Sequence, residues 1–240
     1  MATFSNFTNR LPDPNWGINE AGDGHVTSFT EGPGFASVKF SAQQPVSYSR
    51  TNSGRVTTRA IVGHSWRIGI TYNPMTRDQF EPVYNFLLEK RGRLKPFFVV
   101  LPQYASPRTT TSGGALSVQG SITSGDTNFL VDGMDSITGG LRPGDMFNFS
   151  DSGNSNHHKM YQVVRVATHT DKLASDSALS ISDERRLYVV PPVEKDVTDN
   201  STINYTNPLF RVVQTADVQE YSLGTNNLYT FSLNLEEAQA

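Results

Sequence analysis

The sequence predicts a mainly β protein: a β-sandwich domain carrying one α-helix, interrupted by a small inserted β-barrel. Three observations carry this reading. Residues 65–104 read as strand, capped helix, strand, in a chain that otherwise has β patterning. Residues 115–190 hold six short apolar runs separated by Gly, Asp, Asn and Ser, the spacing of a small barrel or sandwich. Residues 228–235 alternate cleanly, with Tyr229, Phe231, Leu233 and Leu235 on one face, and a strand of that length belongs in a substantial sheet.

Composition agrees. The 240 residues are 36% hydrophobic and 18% charged, so Ser, Thr, Asn, Gly and Pro fill much of the remainder. That bias suits short strands joined by turns and long loops. A formal net charge of −3 gives no case for nucleic-acid binding by bulk charge. There is no cysteine, which excludes disulfides, thiolate catalysis and Cys-based metal sites. No apolar run approaches the roughly 20 residues of a helical membrane span. The opening MATFSNFTNRLPDPNWG has no charged segment leading into an apolar one, so no secretion signal is expected and a cytoplasmic origin is the default.

Residues 1–45 are polar and broken by Gly and Pro, with scattered aromatics including Phe4, Phe7, Trp16, Phe29, Phe35 and Phe40. An extended arm is expected, anchored on a neighbour or on its own domain. Two alternating runs, 46–50 and 55–62, flank Asn52-Ser53-Gly54, a hairpin turn in which Asn and Gly tolerate positive φ. Trp66, Ile68, Ile70 and Tyr72 then alternate with polar neighbours as one face of a strand. A helix is expected over 76–91. Thr76 and Gln79 make a capping box, and Asp78 suits the N-terminal dipole. Phe80, Val83, Tyr84, Leu87 and Leu88 form its apolar stripe, and Gly92 is positioned to end it. Pro82 removes one backbone hydrogen bond near the start. The apolar run 97–101 reads as a strand buried on both faces. Composition changes at the Pro/Thr/Ser/Gly linker 106–114, where the barrel pattern begins. The expected organisation is an arm over 1–45, a sheet domain formed by 46–110 with 197–240, and an inserted barrel over 111–196.

Candidate chemistry is sparse. His157 and His158 are adjacent, so on a strand they point to opposite faces and cannot share one ion. Asp132, Asp135 and Asp145 lie near glycines, but the D-x-[DN]-x-[DN]-G spacing of a calcium loop is missing. His25, His64 and His169 have no partner pattern that marks a triad, and there is no phosphate loop or G-x-S-x-G elbow. Distant carboxylates can still form a glycosidase pair, which spacing alone leaves open. Lys90, Arg91, Arg93 and Lys95 place four cations in six residues; they complement the helix C-terminus or meet an acidic partner surface. No catalytic, cofactor-binding or metal residue is assigned, no cofactor is expected, and the chain is read as a non-enzyme.

Pro74-Met75-Thr76, Phe80, Phe86-Leu87, Arg91-Gly92, Pro96-Phe97-Phe98 and Leu101-Pro102-Gln103-Tyr104 together resemble the N-terminal ring-forming domain of tailed-bacteriophage distal tail proteins and related baseplate proteins. Ser49-Arg50, Gly54-Arg55 and Arg59 look like the hairpin ahead of that family's Trp-containing strand. Val118-Gln119-Gly120, Val131-Asp132-Gly133, Leu141 to Phe147, Tyr161-Gln162-Val163 and Pro191-Pro192 are similar to its inserted barrel. Asp217 to Tyr221 and Tyr229 to Leu233 complete the likeness, which covers about 50–240. The resemblance implies a tail-tube-like β-sandwich and a structural virion protein. It implies a ring, usually a hexamer, that joins the distal tail tube to the baseplate hub. The implied partners are other copies of the chain, the tail tube protein, the hub protein, and fibre or sheath proteins at the inserted barrel. DNA or tape-measure protein would pass through the lumen without specific binding, and no membrane is involved. The implied location is the virion tail, after assembly in the bacterial cytoplasm. A carbohydrate-binding β module for host attachment is the alternative, prompted by aromatics such as Trp16.

Overall fold

The structure is a computed structural model and describes residues 9–13, 33–61, 63–108, 115–134, 140–168 and 185–238. Most of the expected arm, the linker residues 109–114 and the expected strand 178–181 lie outside the described residues. The fold is mainly β, with one α-helix, a closed six-stranded barrel and further sheets. The chain divides into two compact units, one drawn from Met1–Val99 and Arg211–Ala238, the other from Val100–Phe210.

The first unit contains β1 (Phe35–Gln43), β2 (Val46–Arg50), β3 (Val56–Ala60), β4 (Ser65–Tyr72), α1 (Arg77–Lys90) and β5 (Phe97–Val99). The second contributes β6 (Leu116–Gln119), β7 (Asn128–Asp132), β8 (Met146–Ser150), β9 (Tyr161–Thr168), β10 (Arg185–Val190) and β11 (Thr202–Asn204). β12 (Phe210–Gln214), β13 (Tyr221–Leu223) and β14 (Tyr229–Glu237) return to the first unit's sheet.

That sheet has the order β1-β4-β14-β12-β5, with β13 paired to the start of β14. Alternation in β4 buries Trp66, Ile68, Ile70 and Tyr72 and leaves Arg67 and Thr71 exposed, as the sequence pattern requires. β14 supplies Phe231, Leu233 and Leu235 to the same core. Two findings revise the expected arm. Residues 35–43, expected in it, form β1, paired antiparallel to β4 along its whole length. Cross-strand contact accounts for this: Phe40 stacks on Trp66 at 4.9 Å and Phe35 meets the Tyr72 ring edge-on at 5.1 Å. Residues 9–13 pack on their own unit, with Leu11 fully buried and Arg10 bridging in parallel to Phe98.

α1 starts at the Thr76–Gln79 capping box, where Gln79 Oε1 accepts the Thr76 N–H at 3.2 Å. It runs unbroken through Pro82 and ends in two left-handed residues, Arg91 and then Gly92. Its buried face is Phe80, Pro82, Val83, Phe86, Leu87 and Lys90, whereas Leu88, expected in the stripe, is exposed. At about 100° per residue, Phe86 and Lys90 both lie to one side of the 80–83–87 line and Leu88 to the other. The helix is seated by aromatic contact: Phe80 stacks on Tyr229 at 4.6 Å with the rings 8° from parallel.

The second unit is a closed barrel, β10-β7-β6-β11-β8-β9. Leu116, Val118, Phe129, Val131, Phe147, Phe149, Val163, Leu187 and Ile203 fill it. The closing strand is β11, which lies beyond the barrel's expected limit at 196. It pairs with β6 on one side and β8 on the other, so three residues remove both open edges. A strand so short, with only Ile203 buried, leaves no periodic trace in the sequence.

Replacing Phe80 by Ala is expected to destabilise the first unit by about 3 kcal/mol, because a buried ring that seats the helix leaves a cavity. Leu88→Ala is expected to change stability by less than about 0.5 kcal/mol. Urea unfolding followed by Trp66 fluorescence in a Trp16→Phe background distinguishes the two.

Candidate functional site

The residues first considered for chemistry are tied to the chain's own backbone. Asp145 is buried and accepts the backbone N–H groups of Arg108 at 2.9 Å and Arg142 at 2.7 Å. Asp132 accepts the N–H of Gly133 at 2.7 Å. Asp199 and Asp196 receive the N–H groups of Gly120 and Ser124 at 2.8 and 2.7 Å. Each carboxylate thus holds backbone N–H groups of its own turn or of a neighbouring segment, and among the described residues no group of three or more His, Asp or Glu converges as metal ligands. Asp135, His25 and His169 lie outside the described residues. His64 rests edge-on against Trp66, ring centres 4.5 Å apart.

The polar stretch 151–158 is partly internal. Asp151 and His157 are buried. Burial alone raises the Asp151 carboxyl, but hydrogen bonds from the Thr198 hydroxyl (2.5 Å), the Gly153 N–H (2.8 Å) and Thr198 N–H outweigh it and hold the group below the usual carboxylate value. His157 Nε2 lies 2.7 Å from the Tyr161 hydroxyl, which itself accepts the Glu194 N–H at 2.9 Å. Burial, and then Lys195 nearby, push His157 down to about 4.

The basic run at the end of α1 is also absorbed locally. Lys90 is buried, its Nζ 4.6 Å from the centre of the Phe86 ring, and desolvation lowers its pKa. Arg93 donates to the Thr215 carbonyl and lies 3.9 Å from Asp217. Asp217 in turn packs against Gly92, where a Cβ would meet its backbone at 3.1 Å.

What remains exposed and unexplained lies on the first unit. The β2–β3 hairpin continues the β1–β4 ribbon past the sheet: Gln43 pairs with Ser65, and the Ile61 N–H then donates to the Pro45 carbonyl at 3.0 Å. Its tip is a three-residue loop, 52–54, ended by Gly54 at φ 84°, with the Thr51 N–H bonded to the Arg55 carbonyl at 2.9 Å. Among the described residues, β2 and β3 pair only with each other. The register places Val46, Tyr48 and Val56 on one face, with Arg50 and Thr58 beside them, and Ser47, Ser49, Thr57 and Arg59 on the other. The apolar face is open to solvent, with Val46 54%, Tyr48 76% and Val56 54% exposed. Beside it, the outer edge of β1 has no strand partner among the described residues, whereas at the opposite end of the sheet residues 9–11 hydrogen-bond along β5 through Phe98 at 2.8 Å. The alternation of Val46, Tyr48 and Val56 was visible in the sequence, but it marks an apolar face without saying whether that face is covered.

His157 stays neutral in the folded protein down to about pH 4, while in the unfolded chain it takes a proton below about pH 6.5. The unfolded state thus binds more protons in this window, and stability falls as pH drops from 6.5 to 4, by up to roughly 3 kcal/mol. Hydrogen exchange of the β8 and β9 amides at pH 7 and pH 4.5 is expected to show this loss, and His157→Gln to reduce it. No protein-family model matches the chain, and no curated protein sequence matches it.

Proposed function

We propose that this chain is a structural protein of a bacteriophage tail whose sheet unit assembles into a closed ring, usually of six copies, joining the distal tail tube to the baseplate hub. The observation that carries this reading is the asymmetry of the sheet. One end is covered by the chain's own residues 9–11, while at the other end the outer edge of β1, nine residues long, has no strand partner among the described residues. An open edge of that length is a template for pairing with another chain. Rotational closure satisfies such an edge without growth into a fibre. The likeness of 65–104 to distal tail proteins supplies the tail context.

A non-enzymatic role fits the carboxylates, which cap turns, and needs no cofactor. The tail tube and hub proteins are the partners of the ring faces, and fibre or sheath proteins those of the barrel unit. With a net charge of −3 the lumen would let DNA or tape-measure protein pass without specific binding. The protein would act in the virion tail after assembly in the host cytoplasm. A carbohydrate-binding module needs an uncovered aromatic face; on the barrel, Tyr188 carries the Arg165 guanidinium 3.6 Å above its ring.

Electron micrographs of the purified protein at micromolar concentration are expected to show closed rings of constant subunit number. Images of intact particles are expected to place the same number of copies at the end of the tail tube. A protein that stays monomeric and is missing from particles overturns the reading.

A further inference from the structure

We infer that the β2–β3 hairpin of one copy lays its apolar face into the groove beside β13 of the next copy. This inference rests on the ring reading for its partner, a second copy of the same chain, and adds which two surfaces meet.

The donor surface is the hairpin. A two-stranded hairpin is marginal in water unless its apolar side is covered. Here no other strand among the described residues pairs with it, and Val46, Tyr48 and Val56 project together from one side, alongside Arg50. Residues 46–61 include Arg50, Arg55 and Arg59 and no acidic residue, so the ribbon is cationic throughout.

The acceptor surface belongs to the same unit. A groove of about 870 Å³ runs beside β13 and β14. Val218 stands at it 71% exposed, and Tyr221, packed on one side against Phe80 and Tyr84, is still 50% exposed. Glu220 is the one charged residue among those lining it. β13 pairs only with β14 among the described residues, so its other edge is also open. The arginines of the ribbon and Glu220 of the groove are of opposite charge, and each surface exposes apolar side chains, Val46, Tyr48 and Val56 on one and Val218 and Tyr221 on the other. Charge pairing of this kind selects partner and register.

The contact is heterologous, because hairpin and groove are different surfaces. Each copy then uses both, giving one to the copy ahead and the other to the copy behind. Such head-to-tail contacts close into rings. An isologous dimer would instead bring two hairpins, each with three arginines, against one another.

The chain has no cysteine, so single cysteines report contacts without background. Tyr48→Cys and Val218→Cys are prepared separately in the full chain, mixed, and treated with a short bis-maleimide. A cross-linked dimer in the mixture and in neither variant alone is the expected result. If the protein assembles but Tyr48→Cys links to itself, or fails to link to Val218→Cys, the hairpin–groove contact is overturned and the ring reading stands. If the protein does not associate at any concentration, both fall together. As an independent readout, Tyr48→Ala and Glu220→Arg are each expected to raise the concentration needed for assembly at least tenfold while leaving thermal unfolding of the monomer unchanged. Assembly of both variants at the wild-type concentration also overturns the contact.

Discussion

Ser232 of β14 lies opposite Thr71 of β4, 161 residues earlier in the chain, and the rest of the first unit is arranged around that pairing. β4 is hydrogen-bonded to β1 on one side and β14 on the other, so its inward residues Trp66, Ile68, Ile70 and Tyr72 are central to the sheet. β14 in turn carries the ring of Tyr229 on which Phe80 stacks, so the same strand both completes the sheet and seats the helix. Closing so long a loop costs little more than closing a short one, about 0.6 kcal/mol per doubling of length. An excursion that folds on its own between β5 and β12 is therefore tolerated, and the barrel is such an excursion.

The two units treat their strand edges in opposite ways. The barrel closes completely, and three residues of β11 are enough because they pair on both sides. The sheet unit covers one end with residues 9–11 and leaves the other open. Edges exposed on a stable protein invite pairing with other chains. A fold that closes one unit into a barrel and, among the described residues, leaves the outer edges of β1 and β13 unpaired in the other places its capacity for association in the sheet unit, where the proposed ring contacts lie.

Polar groups follow the same division of labour. In the barrel, Asp145, Asp151, Asp196 and Asp199 hold turns by accepting backbone N–H groups, and His157 with Tyr161 fixes the chain near Glu194. Where such a donor is buried, leaving it unpaired costs about 1–3 kcal/mol. At the end of α1, Lys90 lies over Phe86 of its own helix and Arg93 binds the Thr215 carbonyl, so of the four cations that look like a binding patch in the sequence one is buried and one ties the helix end to the segment before β13.

The sequence by itself determined the element types and the local turns. Alternation from Trp66 to Tyr72 and from Tyr229 to Leu235 predicted their strands, the Thr76–Gln79 box predicted the helix start, and Asn52-Ser53-Gly54 predicted the hairpin. Those signals are local, because periodicity, capping and positive φ are properties of a few consecutive residues. Tertiary structure decided what the pattern could not carry. It rotated the helix so that Lys90 is buried and Leu88 exposed, recruited Phe35–Gln43 from the expected arm into the sheet, and closed the barrel with Thr202–Asn204. It also determined that the apolar face of Val46, Tyr48 and Val56 is left uncovered. Whether an apolar face is buried depends on which distant segment arrives to cover it, and that is a property of the assembled chain.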